Sequence, residues 1–404
     1  MSRLAKITVV SLSLLVFSYV GLGYVLGKSD DDKTYRSLTV YGEVLQRVQE
    51  DYVDEPNMSA VTAGALHGLL EALDPYSGYL SAREYSDYKD KQKNTTHGEI
   101  GATVSKRFGY IVVVSVLPDG PAEKAGLRAG DILEAVAGFT TRDMSVGQAN
   151  LLLDGAPGTA VKVDVVRRGK TEPQPMDLPR AVMTAQHVTA DKIDDDVAYI
   201  RVPTLASGVV AELRERLQQF QQKGVHKLVL DLRDCASGPV SEGVAAAQLF
   251  IPSGTVAVLS GQTITRQEFA AAPDKVVWRD PVEVLVSDGT AGAAEVVASA
   301  LSGNHRADLV GQRTFGAASE QKVIPLEDGA ALVLTVGYYY TPAGKPIIDQ
   351  GVPATVEVNV PLPDLTDENA EAPAPLSTGQ LPAHDDPVVH KALDLLKVDA
   401  RKVA

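Results

Sequence analysis

The residues able to support covalent chemistry are few, and they gather in short stretches. Ser287 and Thr290 follow an apolar run at 284–286, and Ser299 lies farther along the same segment. Cys235 and Ser237 follow the run KLVLDL at 227–232, and Lys322 stands beside Gln321. A hydroxyl attacks a carbonyl only when a neighbour accepts its proton. A lysine accepts it only when burial depresses its pKa and leaves it neutral. The simplest reading of each hydroxyl and of the thiol is as a packing or surface residue. In a strand Lys322 would face away from Gln321, because side chains alternate. The seven histidines, from His67 to His390, are scattered. No His/Cys cluster has metal-ligand spacing, so neither a metal nor a cofactor is expected. The single cysteine, Cys235, excludes an internal disulfide.

The elements that must position these groups change character along the chain. Residues 34–95 read as helical, with Val44, Leu45, Val48 and Val53 at helical spacing and a break at Asp74-Pro75. Residues 96–181 are β-rich, with Gly126, Gly130 and Gly138 marking turns. Residues 182–362 alternate strands and helices. The largely apolar KLVLDL and the run at 284–286 have the composition of buried parallel strands. Residues 363–387 are a linker rich in Pro and acidic residues, and 388–404 form a last helix.

The chain has 404 residues, enough for two or three domains. It is 45% hydrophobic and 22% charged, which excludes a wholly disordered chain. A net charge of −14 without a basic patch argues against nucleic acid as a partner. Residues 7–26 form an almost uncharged apolar run, preceded by Arg3 and Lys6 and followed by Lys28 and three aspartates. A helix of that length spans about 30 Å, the thickness of a bilayer core. Residues 1–27 are therefore expected to be a membrane anchor, with a cleaved signal peptide as the alternative. The order of charges places the body on the extracytoplasmic side, the periplasmic side of the inner membrane in a bacterium.

The middle module resembles a PDZ domain. GPAEKAGLRAGDILEAVAG at 120–138 has the pattern of a capped helix, a Gly-Leu turn and a strand. Gly98-Glu99-Ile100-Gly101, entering a strand, resembles a PDZ carboxylate-binding loop. Backbone N–H groups in such a turn form a cradle for a terminal carboxylate, and the adjacent strand edge pairs with the rest of the peptide. The resemblance implies protein C-terminal peptides as partners.

The flanks are similar to the carboxyl-terminal-processing, or tail-specific, serine peptidases. The similarity runs over nearly all of 35–360 and rests on EVLQRVQEDYVDE, LLEALDPYSGYL, VAYIRVPTL, KLVLDLR and TPAGKPIIDQGVPATVEV. It implies a protease-like α/β core of the ClpP/crotonase kind, with parallel strands plus helices, an inserted PDZ domain, an N-terminal helical segment and one transmembrane helix. Family members cut with a Ser/Lys dyad. The family's V-L-V-N-E-G-S-A-S-A-S-E-I is here VLVSDGTAGAAEV at 284–296, which puts Gly292 at the nucleophile position. The family's T-F-G-K-G-S-V-Q is here TFGAASEQ at 314–321, which puts Ala317 at the base position and keeps the accessory Gln321. The family's Asn-Pro-Gly-Gly turn is replaced by Asp234-Cys235-Ala236-Ser237-Gly238, so Ser237, Gly238 and Ala293 mark an altered oxyanion region.

The expected function is that of a membrane-anchored pseudoprotease. It binds protein C-termini through its PDZ domain or regulates an active protease, as a homodimer or with a partner protease. The alternatives are a serine-type peptidase with a relocated nucleophile and a structural envelope scaffold.

Overall fold

The computed structural model describes residues 31–93, 96–167, 170, 172–359, 381–382 and 385–403. Residues up to Leu66 form one compact unit and those from His67 onward another. Helix α1 (Asp31–Asp51) lies in the first. Its polar face carries the Arg47–Asp51 ion pair and a Gln46–Glu50 hydrogen bond, both one turn apart. Helix α2 (Met58–Glu71) starts at Asn57, whose side chain accepts the Ala60 amide at 3.2 Å.

The transmembrane helix expected in the fold class has to be corrected. Among the described residues no helix is long and apolar enough to cross a membrane. The longest, α1, carries charges along its length. The apolar run at 7–26 lies outside the described residues.

The larger unit begins with β1 (Gly78–Leu80) and α3 (Ala82–Lys93). The β-rich module then forms around β2 (Ala102–Arg107), β3 (Tyr110–Val116), β4 (Ile132–Val136), β5 (Phe139–Thr140), β6 (Ala160–Val166) and β7 (Gln174–Pro179). They pair antiparallel in the order β2-β3-β4-β6-β7, with β5 on β4. Two helices close this sheet, α4 (Pro121–Lys124) and α5 (Val146–Leu153). Helix α5 starts at a reciprocal cap: Ser145 Oγ accepts the Gln148 amide, and Gln148 Oε1 accepts the Ser145 amide. Ile111, Val113, Leu127, Leu133, Val163 and Leu178 make the module's own core.

Beyond it lie β8 (Thr189–Asp194), β9 (Val197–Arg201), α6 (Val209–Gln222), β10 (Lys227–Asp231), α7 (Val240–Ala247), β11 (Thr255–Ser260) and β12 (Gln267–Ala270). They are followed by β13 (Val282–Val286), α8 (Ala293–Gly303), β14 (Leu309–Gly311), β15 (Ser319–Pro325), β16 (Ala331–Tyr340), β17 (Val356–Glu357) and α9 (Pro387–Val403). One sheet runs β17-β14-β13-β10-β9-β8, parallel except for β8. The other, β1-β16-β11-β12 with β15 on β16, is antiparallel.

The alternation of side chains explains why these strands are apolar at most positions, with Asp231 and Glu283 as buried exceptions. Leu228 and Leu230 of β10, and Val282 and Val284 of β13, pack with α6, α7, α8 and β11. Val229 and Leu285, with Val197, Tyr199 and Val310, face the other way, onto Val388, Val389, Ala392 and Leu396 of α9. A sheet covered on both faces needs no polar positions.

Helix α9 is also fastened by charge. The Arg233 guanidinium donates to both Asp231 oxygens, at 2.6–3.0 Å, and to Asp386 Oδ2 at 2.7 Å. Asp386 in turn accepts the Val388 amide in the first turn of α9. The Tyr199 hydroxyl donates to Asp231 Oδ2 at 2.7 Å. Burial pushes the Asp231 carboxyl up. The Arg233 charge and hydrogen bonds, with Arg201 and Tyr199, outweigh it and hold the carboxyl below the ordinary range. Its stabilisation is therefore complete above the unfolded value of about 3.9 and is lost as pH falls through the lower folded value. Urea unfolding midpoints are expected to drop below about pH 4. In Asp231→Asn the midpoint should start lower and fall less steeply. An unchanged slope in the variant would show that Asp231 does not carry the acid transition.

Candidate functional site

Adjacent parallel strands β10 and β13 end side by side, with Asp231 opposite Leu285. The loops that leave such ends are where open α/β sheets place their sites. The chain leaving β10 forms the turn through 233–238, and the chain leaving β13 forms 287–292 and then α8. The two loops are stitched together. Thr290 Oγ1 donates to the Leu232 carbonyl at 2.8 Å, and the Ala291 amide donates to the Cys235 carbonyl at 3.0 Å. The Phe315 amide donates to the Thr290 carbonyl at 2.9 Å, which brings in the third stretch, 314–318.

Gly292 is the residue before α8, with φ 60° and ψ −115°. This left-handed conformation strains any residue with a side chain, by about 1–3 kcal/mol. Space is not the obstacle, since a Cβ built there meets nothing within 4 Å. The turn therefore has the form of a strand-to-helix elbow that presents a side chain, on a residue that has none.

Gly292 and Ala317 are held by the same carboxylate. Glu295 is fully buried. Its Oε2 accepts the amides of Gly292 at 2.9 Å and Ala317 at 2.7 Å. Its Oε1 accepts the Gly316 amide and the Thr314 hydroxyl, both at 2.6 Å. Burial pushes this carboxyl up, and the four hydrogen bonds act against it. Sequence reasoning missed Glu295. The available signal was an acidic residue three positions after a helix N-cap, the spacing that lets a side chain reach back to the cap amide.

Gly292 and Ala317 line one cavity of about 210 Å³, together with Gly238, Ala236, Ala291, Ala293, Ala318 and Ser319. The β-rich module supplies the opposite wall through Thr103, Val104, Ser105 and Val114, and Tyr76 completes it. Tyr76 is the one ionisable residue in this lining. Burial pushes its hydroxyl up to about 12, and it lies 3.0 Å from Ser105 Oγ. Among the described residues the cavity lining thus holds no lysine, histidine or carboxylate able to accept a proton from a hydroxyl.

The hydroxyls and the thiol considered as substitutes are engaged elsewhere. Ser287 Oγ donates to Asp234 Oδ1, and Ser299 Oγ donates to the Val296 carbonyl, both at 3.2 Å. Ser237 Oγ lies 2.8 Å from Thr204 Oγ1. Cys235 is buried, and burial pushes its thiol up to about 12, far from a reactive thiolate. Lys322 is exposed on β15, outside the cavity lining. Gln321 is also exposed, and its side chain donates to Ser319 Oγ at 2.8 Å. In the expected oxyanion region Gly238 and Ala293 face the cavity. Gly238 sits at φ 118°, and a Cβ there would collide with the Leu205 carbonyl.

The expected carboxylate cradle, Gly98 to Gly101, is not part of this lining. Its first two amides are spent inside the module: Gly98 donates to the Gly155 carbonyl at 2.7 Å and Glu99 to the Ala181 carbonyl at 2.9 Å. The carbonyls of Ile100 and Gly101 accept the amides of Ala122 and Leu117, both at 2.8 Å. The loop thus ties the start of β2 to α4 and to the segment after β7.

Known proteins give an independent view of this arrangement. The model of peptidase family S41 matches residues 196–358, and that of the PDZ domain matches 112–167. A carboxyl-terminal-processing protease of Synechocystis sp. is 30% identical over 361 residues, covering 86% of this chain and 80% of that one. A carboxy-terminal-processing protease of Bartonella bacilliformis is 29% identical over 352 residues, covering 86% and 81%. The solved structure of the photosystem II D1 C-terminal processing protease superposes with a TM-score of 0.67 at 27% identity. It covers 80% of this chain and 92% of its own.

Proposed function

Since this chain belongs to peptidase family S41, the carboxyl-terminal-processing proteases, we propose that it keeps the family's frame without its hydrolytic chemistry and acts as a binder of protein C-termini. The observation that carries this reading is the cavity at Gly292 and Ala317. The positions that match the family's nucleophile and base are glycine and alanine, and the hydroxyls that line it, on Tyr76, Thr103, Ser105 and Ser319, share the lining with no lysine, histidine or carboxylate. Glycine offers no attacking atom, and alanine offers no lone pair to take a proton. The frame around them is kept: the elbow, the buried Glu295 and the PDZ-like sheet.

Peptide binding rests on the PDZ-like module. Strand β2 ends its sheet, the position at which a peptide adds as a further strand. Of the four amides in the loop before it, those of Gly98 and Glu99 are engaged, so Ile100 and Gly101 are the positions that would meet a carboxylate. The acidic surface argues for peptides and against nucleic acid.

The test uses the immobilised full chain and peptides ending in a free or an amidated carboxylate. Free-ended peptides are expected to be retained at least tenfold better, with no peptide shortened during the incubation. Equal and negligible retention of both forms would remove the binding reading. Shortened peptides would favour a working peptidase.

A further inference from the structure

The starts of two helices meet at one histidine. At the start of α3 the amide and hydroxyl of Ser81 donate to Glu84 Oε2, at 2.8 and 2.7 Å. At the start of α5 stands the cap of Ser145 and Gln148. The two capping side chains touch, because Gln148 Nε2 donates to Glu84 Oε1 at 3.3 Å. The same Nε2 lies 3.2 Å from His67 Nε2. The Gln148 amide is fixed at both ends, its oxygen toward the Ser145 amide and its nitrogen toward Glu84. A nitrogen that only donates needs an acceptor, so His67 Nε2 offers its lone pair and Nδ1 carries the proton. Among the described residues that Nδ1 is buried without a hydrogen-bond partner. The charged groups facing the ring are Glu84 from α3 and Glu71 from its own helix. Glu71 is shared with Lys106 of β2. From β1 the Tyr79 ring meets the imidazole edge-on, with centroids 5.4 Å apart, and α5 presents the uncharged Gln148.

We infer that His67 is a pH-sensitive joint between the segment 67–93 and helix α5. A proton on Nε2 sets donor against donor and expels the Gln148 amide. The imidazolium takes Glu84 Oε1 in its place, as a charge-assisted hydrogen bond. Gln148 cannot answer by turning over, because its oxygen would leave the Ser145 amide unpaired. The first turn of α5, whose Val146 packs in the module's core with Val104 of β2, loosens as a result. The closed joint holds the neutral ring: burial pushes the His67 pKa below its ordinary value, against the pull of Glu84 and Glu71. Its contribution is therefore complete above the unfolded value of about 6.5 and is lost as pH falls through the lower folded value. None of this depends on whether the module binds peptides.

Hydrogen exchange read by mass spectrometry on the full chain tests the joint, with each rate normalised to that of the unfolded chain at the same pH. Between about pH 7.5 and about pH 5, exchange at 145–150 is expected to speed about tenfold. His67→Gln keeps an acceptor for Gln148 and cannot be charged, so its normalised exchange should not change with pH. Gln148→Glu keeps an acceptor for the Ser145 amide and favours the imidazolium, so its exchange should slow on acidification. No acceleration in the wild-type chain, or an acceleration that His67→Gln retains, overturns the joint. Where His67→Gln does not fold, Gln148→Glu decides, and acceleration in that variant overturns the joint.

Discussion

Replacing Glu295 by alanine is expected to lower the unfolding free energy by about 3–5 kcal/mol, read by urea titration at neutral pH. The size follows from what is left behind. The amides of Gly292, Gly316 and Ala317 and the hydroxyl of Thr314 all lose the acceptor that the buried Glu295 supplies. Each stranded donor costs about 1–3 kcal/mol, partly offset because a buried carboxyl no longer has to be desolvated. Glutamine is not a safe replacement. Both carboxylate oxygens accept two hydrogen bonds each, while an amide has one accepting end and one donating end. Whichever way it turns, two donors meet an NH₂ group, so Glu295→Gln is expected to cost about 1–3 kcal/mol. A loss below about 1 kcal/mol in the alanine variant would mean that the loops at 292 and 317 hold their shape without this carboxylate.

The largest effect is expected from restoring the chemistry. The wild-type chain should show no labelling by a fluorophosphonate probe and no cleavage of tailed substrates. The double variant Gly292→Ser/Ala317→Lys is expected to gain both, and each single variant neither. A nucleophile and its base act as a unit, and removing either one alone costs roughly as much as removing both, up to about 10⁶ in rate. The elbow favours success, because a side chain at 292 enters open space. Two features hold the gain below that of an intact relative. Serine at φ 60° and ψ −115° carries backbone strain, and the turn at 234–238 presents Ser237 and Gly238 where the family pattern has two glycines. Labelling of the wild-type chain would return attention to a relocated nucleophile.

What could be read from the sequence was local or periodic. The runs at 227–232 and 284–286 announced strands covered on both faces, and β10 and β13 lie between α6–α8 and α9. The pattern at 120–138 marked the turn, helix and strand around α4 and β4. Gly292 and Ala317 were matched to the family's nucleophile and base positions by resemblance alone, and in the structure both line one cavity. What could not be read depends on pairings distant in sequence. Arg233 meets Asp386 across 153 positions, and Arg107 meets Phe315 across 208. No local pattern distinguishes Val112 and Val114, which face the site, from Ile111 and Val113, which face the module's core. The apolar run at 7–26 had the length of a membrane span and lies outside the described residues, and no described helix is long and apolar enough to cross a membrane.

The covering of the parallel sheet by α9 has a consequence for synthesis. Every strand of that sheet precedes α9 in the chain, and the face bearing Val197, Tyr199, Val229, Leu285 and Val310 has α9 as its cover. On the ribosome those strands emerge before the helix does, at about 5–20 residues per second. For several seconds the nascent chain therefore carries a bare aliphatic face that it cannot close by itself. The helix that seals it, pinned by Asp386 to Arg233, is the step after which this half of the molecule no longer needs shielding from its neighbours.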